Sequence, residues 1–119
     1  MVHYAQPNLD ASFGALSDPT RRGILEGLGR ADTSITDLAK KFQMTLTGMK
    51  KHVGVLEKLG LVTTVKVGRV RTCKLGRHRL EVEAAWLENV RQLWDARFQE
   101  LDLIVEELKR KEKTDGRKN

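Results

Sequence analysis

The chain has one cysteine, Cys73, among 119 residues. A single thiol cannot close a disulfide within the chain and cannot by itself build a multi-thiolate zinc site. No apolar run approaches the roughly 20 residues that a transmembrane helix requires. The stretch Met1-Val2-His3-Tyr4-Ala5-Gln6-Pro7 has neither the positive start nor the apolar centre of a secretory signal. These absences lead to the expectation of a cytoplasmic protein with no membrane partner and a reduced thiol. The signatures of catalysis are missing too. There is no glycine-rich phosphate loop, no nucleophile elbow and no pair of carboxylates in a pocket-forming context, and His3, His52 and His78 are scattered. A binding protein is expected, not an enzyme, and no cofactor is expected.

What is present is charge, and it is segregated. The net charge is +6. Residues 36–79 carry eleven Lys or Arg against Asp37 and Glu57, a net of +9, whereas residues 80–108 carry Arg91 and Arg97 against eight acids, a net of −6. The segment 1–35 is close to neutral and the tail 109–119 is basic again. A basic middle beside an acidic segment is the footprint of a surface that faces phosphates on a protein whose other parts avoid them. A solvated face is the alternative reading of the charge alone.

The order of elements sharpens this. Asn8 or Asp10 can cap a short helix through Leu16, and Asp18-Pro19 starts a second, with Pro19 where its missing N–H is harmless. Ile24, Leu25 and Leu28 supply that helix's apolar stripe. Ser34-Ile35 looks extended. Thr36 is a suitable cap for a helix from Asp37 to Phe42, Gln43-Met44 makes the turn, and Thr45 caps a longer helix that stops at Gly60. Two short helices joined by a tight turn, the second longer and basic, form a helix-turn-helix over about residues 36–59. The period then changes: Leu61 to Val67 and Val70 to Leu75 are rich in β-branched residues and flank Gly68-Arg69, the pattern of a β-hairpin. From about Leu80 to Lys109 there is neither Gly nor Pro, and apolar residues recur at spacings of three and four. The fold expected is mainly α with a small β-hairpin wing: a winged helix-turn-helix over residues 1–108 with a long C-terminal dimerisation helix, followed by a basic, fraying tail at 110–119.

The helix after Thr45 is two-sided. At 100° per residue, Leu46, Met49, Val53 and Leu56 fall within an arc of about 80° and are expected to pack, while Thr47, Lys50, Lys51 and Gly54 fall on the opposite side. That outer face offers donors for phosphates or base edges and a small residue where a backbone must come close, which suits a helix presented to the major groove of double-stranded DNA. An ordinary solvated face is the plainer reading. Arg69 at the hairpin tip and Arg71 beyond it suit a minor groove, where narrow width concentrates negative potential; a plain surface hairpin, with Lys66 and Lys74 merely protecting strand edges, is the alternative reading.

Other groups are assigned plainer roles. His52, on the flank of the basic helix, is expected to be partly buried with one hydrogen bond. Cys73 is expected to be a half-buried strand residue; the competing reading makes it a redox sensor, with Arg71 and Lys74 lowering its pKa. On the long helix, Leu87, Val90, Trp94, Phe98, Leu101 and Val105 form a stripe longer than one small domain needs to cover itself, so a homodimer seam is expected there. Trp86, Trp94 and Phe98 are alternatively candidates to line an effector cavity.

Leu16-Ser17-Asp18-Pro19-Thr20-Arg21-Arg22 before Ile24-Leu25, then Ile35-Thr36-Asp37-Leu38-Ala39, then Met44-Thr45 through Lys51-His52-Val53 to Gly60-Leu61-Val62, resembles the ArsR-type winged-helix repressors over about residues 9–76. The resemblance implies a dimeric transcriptional repressor that leaves its operator when a small-molecule effector binds. It also implies that Thr45 through Lys51 occupy the recognition-helix positions and Gly68 to Arg71 the wing. Metal-sensing members carry paired cysteines before the turn, or His and Asp ligands on the last helix. Here the helix before the turn reads Thr36-Asp37-Leu38-Ala39-Lys40-Lys41 and the long helix has no His, so the chain resembles the subgroup without metal ligands. The DNA-contacting residues expected are Thr45, Thr47, Lys50, Lys51, Arg69 and Arg71. A winged-helix module for protein or RNA is the reading from another class.

Overall fold

A computed structural model describes residues 7–117, in the order α1 (Pro7–Leu16), α2 (Pro19–Leu28), β1 (Thr33–Ser34), α3 (Ile35–Lys41), α4 (Leu46–Lys58), β2 (Val62–Val67), β3 (Val70–Leu75) and α5 (Glu81–Arg117). His3 lies outside the described residues. Two compact units are present: the winged body, which ends at Glu83, and the helix from Ala84 onward.

Capping explains most of the boundaries. Asp18 is extended and its carboxylate accepts the Arg21 N–H, with Pro19 inside the first turn of α2. Thr45 caps α4 by accepting from the Gly48 N–H at 3.0 Å. Gln43, at φ 53°, makes the turn between α3 and α4, and Gly60, at φ 75°, supplies the left-handed exit from α4. Two expected caps were misplaced. The N-cap of α3 is Ser34, whose Oγ accepts the Asp37 N–H, and not Thr36. Ser34 is held extended by pairing with Thr72 across β1 and β3, and the buried Ile35 is already helical. Helix α1 begins at Pro7, ahead of Asn8 and Asp10, because proline fits the first helical turn.

The sheet is antiparallel in the order β1-β3-β2. In the hairpin Val62 pairs with Leu75 and Val67 with Val70, leaving Gly68-Arg69 as a two-residue loop with Gly68 at φ 62°. One core joins these elements: Ala15, Ile24, Leu28, Ile35, Leu38, Ala39, Met49, Val53, Leu56, Leu61, Val62 and Cys73. Phe42 packs at its edge so closely to α2 that a Cβ on Gly23 would come within 2.7 Å of the ring. Within α4 the inward set is Met49, Val53 and Leu56; Leu46, expected with them, is 42% exposed. Leu46 sits in the first turn, one turn before the helix reaches the core.

Helix α5 has 37 residues, about 55 Å at 1.5 Å per residue. It runs past Lys109, where the expectation ended it, so residues up to 117 of the basic tail are helical. Leu87, Trp94, Phe98, Leu101 and Val105 are exposed, and Val90 is half-buried. No helix among the described residues is long and apolar enough to cross a membrane.

Candidate nucleic-acid interface

The two-sided character of α4 is realised in the body. With Met49, Val53 and Leu56 in the core, Thr47, Lys50 and Lys51 are all exposed on the other side. Nothing lies within 4 Å of the place a Cβ would occupy at Gly54, so the backbone there is open to close approach. Thr45 is exposed as well. Its oxygen is used in the cap, but its O–H remains a donor.

The hairpin brings further cations to the same end of α4. Lys50, Lys66, Arg69 and Arg71 line one small cleft of about 140 Å3 together with Thr36 and Leu46. Lys66 and Arg71 are direct cross-strand partners. Like charges opposite one another destabilise a sheet unless an anion intervenes, and no ion pair involves any of these four side chains among the described residues. Such a cleft suits a phosphate group, which Arg can hold with two parallel hydrogen bonds. Of the six expected contact residues, the cleft gathers Lys50, Arg69 and Arg71. Thr45, Thr47 and Lys51 lie on the exposed surface of α4 and its cap instead. Lys66 and Leu46 were not expected here: Lys66 enters the sequence reading only through the alternative of a plain surface hairpin, and Leu46 reads as core by periodicity.

Helix α4 is tied to α2 by polar contacts. The Arg21 guanidinium donates from Nε to the Ala15 carbonyl at 2.8 Å and approaches His52 Nδ1 at 3.2 Å. His52 is half-buried with this partner, as expected. Cys73 differs from expectation: it is wholly buried, and burial pushes its thiol pKa up, reinforced by Glu57 and only partly opposed by Arg71. A reactive thiolate needs exposure and a lowered pKa, and Cys73 has neither. Among the described residues no three His, Cys, Asp or Glu side chains converge as metal ligands.

Comparison with known proteins agrees with this geometry. A family model described as a helix-turn-helix domain matches residues 16–65. The chain is 35% identical over 89 residues to the uncharacterized HTH-type transcriptional regulator YuzN of Bacillus subtilis strain 168, covering 68% of this chain and 97% of that protein. A crystal structure of an ArsR family transcriptional regulator is 40% identical with a TM-score of 0.69, covering 76% of this chain and 95% of that one. The chain belongs to the ArsR family of helix-turn-helix transcriptional regulators. It is also 29% identical over 77 residues to the transcriptional repressor SdpR of the same Bacillus strain, covering 65% of this chain and 86% of that protein. In this ArsR-family chain α3 and α4 are the helix-turn-helix, the β2–β3 hairpin is the wing, and DNA is the partner that this fold serves.

Proposed function

We propose that the protein is a homodimeric repressor that binds an inverted-repeat operator in double-stranded DNA, with α4 in the major groove and the wing on the flanking minor groove or its phosphates. The observation that carries this reading is the cleft where Lys50 of α4 meets Lys66, Arg69 and Arg71 of the wing: a backbone phosphate held there would fix the helix and the wing on the duplex together. Thr45, Thr47 and Lys51 would then extend contact along the groove. The similarity to the transcriptional repressor SdpR supports repression over activation. The exposed stripe of α5, with Leu87, Trp94, Leu101 and Leu108 spaced by seven, supports a second copy as its cover, since such a repeat packs one helix against another. Val90, Phe98 and Val105 flank that seam. The reading places the protein in the cytoplasm with its operator and leaves room for a small-molecule effector.

The experiment is binding to duplex DNA from upstream of the protein's own gene, measured over a range of salt. Tight binding that weakens steeply with salt is expected. A variant with Lys50, Lys51, Arg69 and Arg71 all replaced by Ala should lose it. Unchanged affinity in that variant would remove the docking, and capture of RNA or protein in place of duplex would favour an interaction module.

A further inference from the structure

A cavity of about 650 Å3 lies within the winged body, among the end of α2, the chain leaving α4 and the loop from β3 into α5. Its walls are four leucines: Leu25, Leu61, Leu75 and Leu80. Leu61 is buried, Leu25 and Leu80 are half-buried, and Leu75 is 53% exposed. The size falls in the range of small-molecule sites, which are mostly apolar with a few polar groups that fix orientation. Here the polar groups are His78 and Arg79.

The frame of the cavity is fixed by the backbone. A Cβ at Gly76 would overlap the Gly60 carbonyl, so the loop after β3 lies directly against the chain leaving α4. There the Gly76 N–H donates to the Leu61 carbonyl at 2.8 Å and the His78 N–H to the Gly60 carbonyl at 3.0 Å. Leu80, a wall residue, stands at φ 62°, a left-handed conformation that strains any non-glycine residue and that collects at ligand sites.

The two nitrogen-bearing side chains differ in availability. His78 Nε2 is 2.9 Å from the buried Glu83 carboxylate, and its Nδ1 is 3.7 Å from Glu81. The Glu81 carboxylate is taken up in turn by the Arg79 backbone N–H at 2.7 Å. The Arg79 guanidinium has neither an ion pair nor a side-chain hydrogen bond among the described residues, and its charge acts only at longer range on the exposed Glu81 carboxyl, helping to lower its pKa. It offers five N–H donors and no acceptor, beside leucines that can take an apolar body. We propose that this cavity binds a small amphipathic carboxylate, with its hydrocarbon against Leu25, Leu61, Leu75 and Leu80 and its carboxylate on the Arg79 guanidinium. The ligand would touch the chain at Leu61, just beyond the end of α4, so its occupancy would bear on the placement of that helix. That last consequence rests on the DNA-binding reading; the site itself does not.

The test uses the full chain without DNA, so its failure is separate from failure of that reading. Octanoate is titrated into the protein and followed through backbone amide NMR signals. Saturable shifts at Leu61, Gly76 and Leu80 are expected at or below about 1 mM, with octanol and octylamine, of the same chain length, binding more weakly. Arg79→Gln should weaken octanoate by roughly tenfold or more, the effect of losing a hydrogen bond to a charged group, while leaving octanol and the melting temperature unchanged. Leu75→Asp should weaken octanoate and octanol alike. The proposal is overturned if octanoate gives no saturable shift at these amides, if octylamine or octanol binds as well as octanoate, or if Arg79→Gln binds octanoate as the parent protein does.

Discussion

Arg21 of α2 and His52 of α4 meet with 3.2 Å between a guanidinium nitrogen and the imidazole Nδ1. An arginine cannot accept a hydrogen bond, so this contact is a hydrogen bond in the tautomer that leaves Nδ1 free to accept, with the ring proton on Nε2. In that tautomer the 3.8 Å approach of Nδ1 to Asp18 is not an ion pair. The same guanidinium also holds the Ala15 carbonyl, so Arg21 links the end of α1, the start of α2 and the middle of α4. Arg21→Ala is expected to lower stability by about 1–3 kcal/mol, the penalty for removing a charged donor from partly buried acceptors. Arg21→Lys should recover only part, because one ammonium cannot reproduce the planar fork. Urea unfolding of the three proteins measures this; equal stability for Ala and wild type would mean that Arg21 does not join the helices.

Acid should weaken the winged body. The Arg21 amide, by capping against it, holds the Asp18 carboxyl below its ordinary pKa. At Glu83 burial pushes upward, but hydrogen bonds from Ser12 and His78 outweigh it, and the net direction is down. A carboxyl with a lowered folded pKa contributes stability that is fully present above its unfolded value, and that contribution is lost as pH falls through the folded value. The melting temperature should therefore hold near neutrality and begin to fall around pH 4, near the ordinary values of about 3.9 for Asp and 4.3 for Glu. Glu83→Gln should start lower and fall less steeply with acid. A parallel decline in both proteins would show that Glu83 is not part of the acid response.

Cys73 should be inert while the protein is folded. Its side chain is wholly buried and its pKa raised, so alkylation by iodoacetamide requires opening of the sheet, and labelling should speed up with denaturant in step with unfolding. Cys73→Ser should lower stability by about 1–3 kcal/mol through an added buried hydroxyl. Rapid labelling of the native protein would reopen the redox reading.

Local chemistry made the fold legible in advance. Proline after aspartate, threonine before an amphipathic run and glycine after it place the ends of α2 and α4 because each satisfies a particular backbone need. Leu46 and Thr36 were misread, and the place of Lys66 was missed, because these roles depend on neighbours distant in sequence. Periodicity assigns Leu46 to the core face without knowing where the core begins. Ser34 rather than Thr36 caps α3 because β3 holds it extended. Lys66 joins the cleft only through the hairpin register that sets it opposite Arg71. The cavity walled by Leu25, Leu61, Leu75 and Leu80 was invisible for the same reason, its residues being spread over three segments.

The stripe on α5 gives an oligomer prediction. Trp94 is 63% exposed and Leu101 40%, and exposed apolar surface that continues along a helix marks an interface. Replacing both with Glu should convert a dimer into monomers in sedimentation while the winged body keeps its melting transition. A dimeric double variant would move the seam elsewhere.

The proposed dimer sets the geometry of the last prediction. Two copies of α4 related by a two-fold axis reach successive major grooves when they lie roughly 34–36 Å apart, so half-sites should be one helical turn apart or a multiple of it. Within each half-site, α4 and the wing should leave different signatures. Lys50 has a side chain in the cleft with the wing, so Lys50→Ala should act like a phosphate contact, weakening all sequences alike and reducing the salt slope by roughly one unit per subunit. Lys66→Ala, Arg69→Ala and Arg71→Ala should do the same. Lys51 and Thr47 lie on the exposed face of α4, and they are the residues expected to read bases: Lys51→Ala should weaken operator binding by about 1–3 kcal/mol and relax preference at one position in each half-site. Binding measured at several salt concentrations on the operator and on a scrambled duplex separates the two classes. If Lys66→Ala leaves the salt slope untouched while Lys51→Ala reduces it equally on both duplexes, phosphates lie along α4 and the cleft is not where the backbone is held.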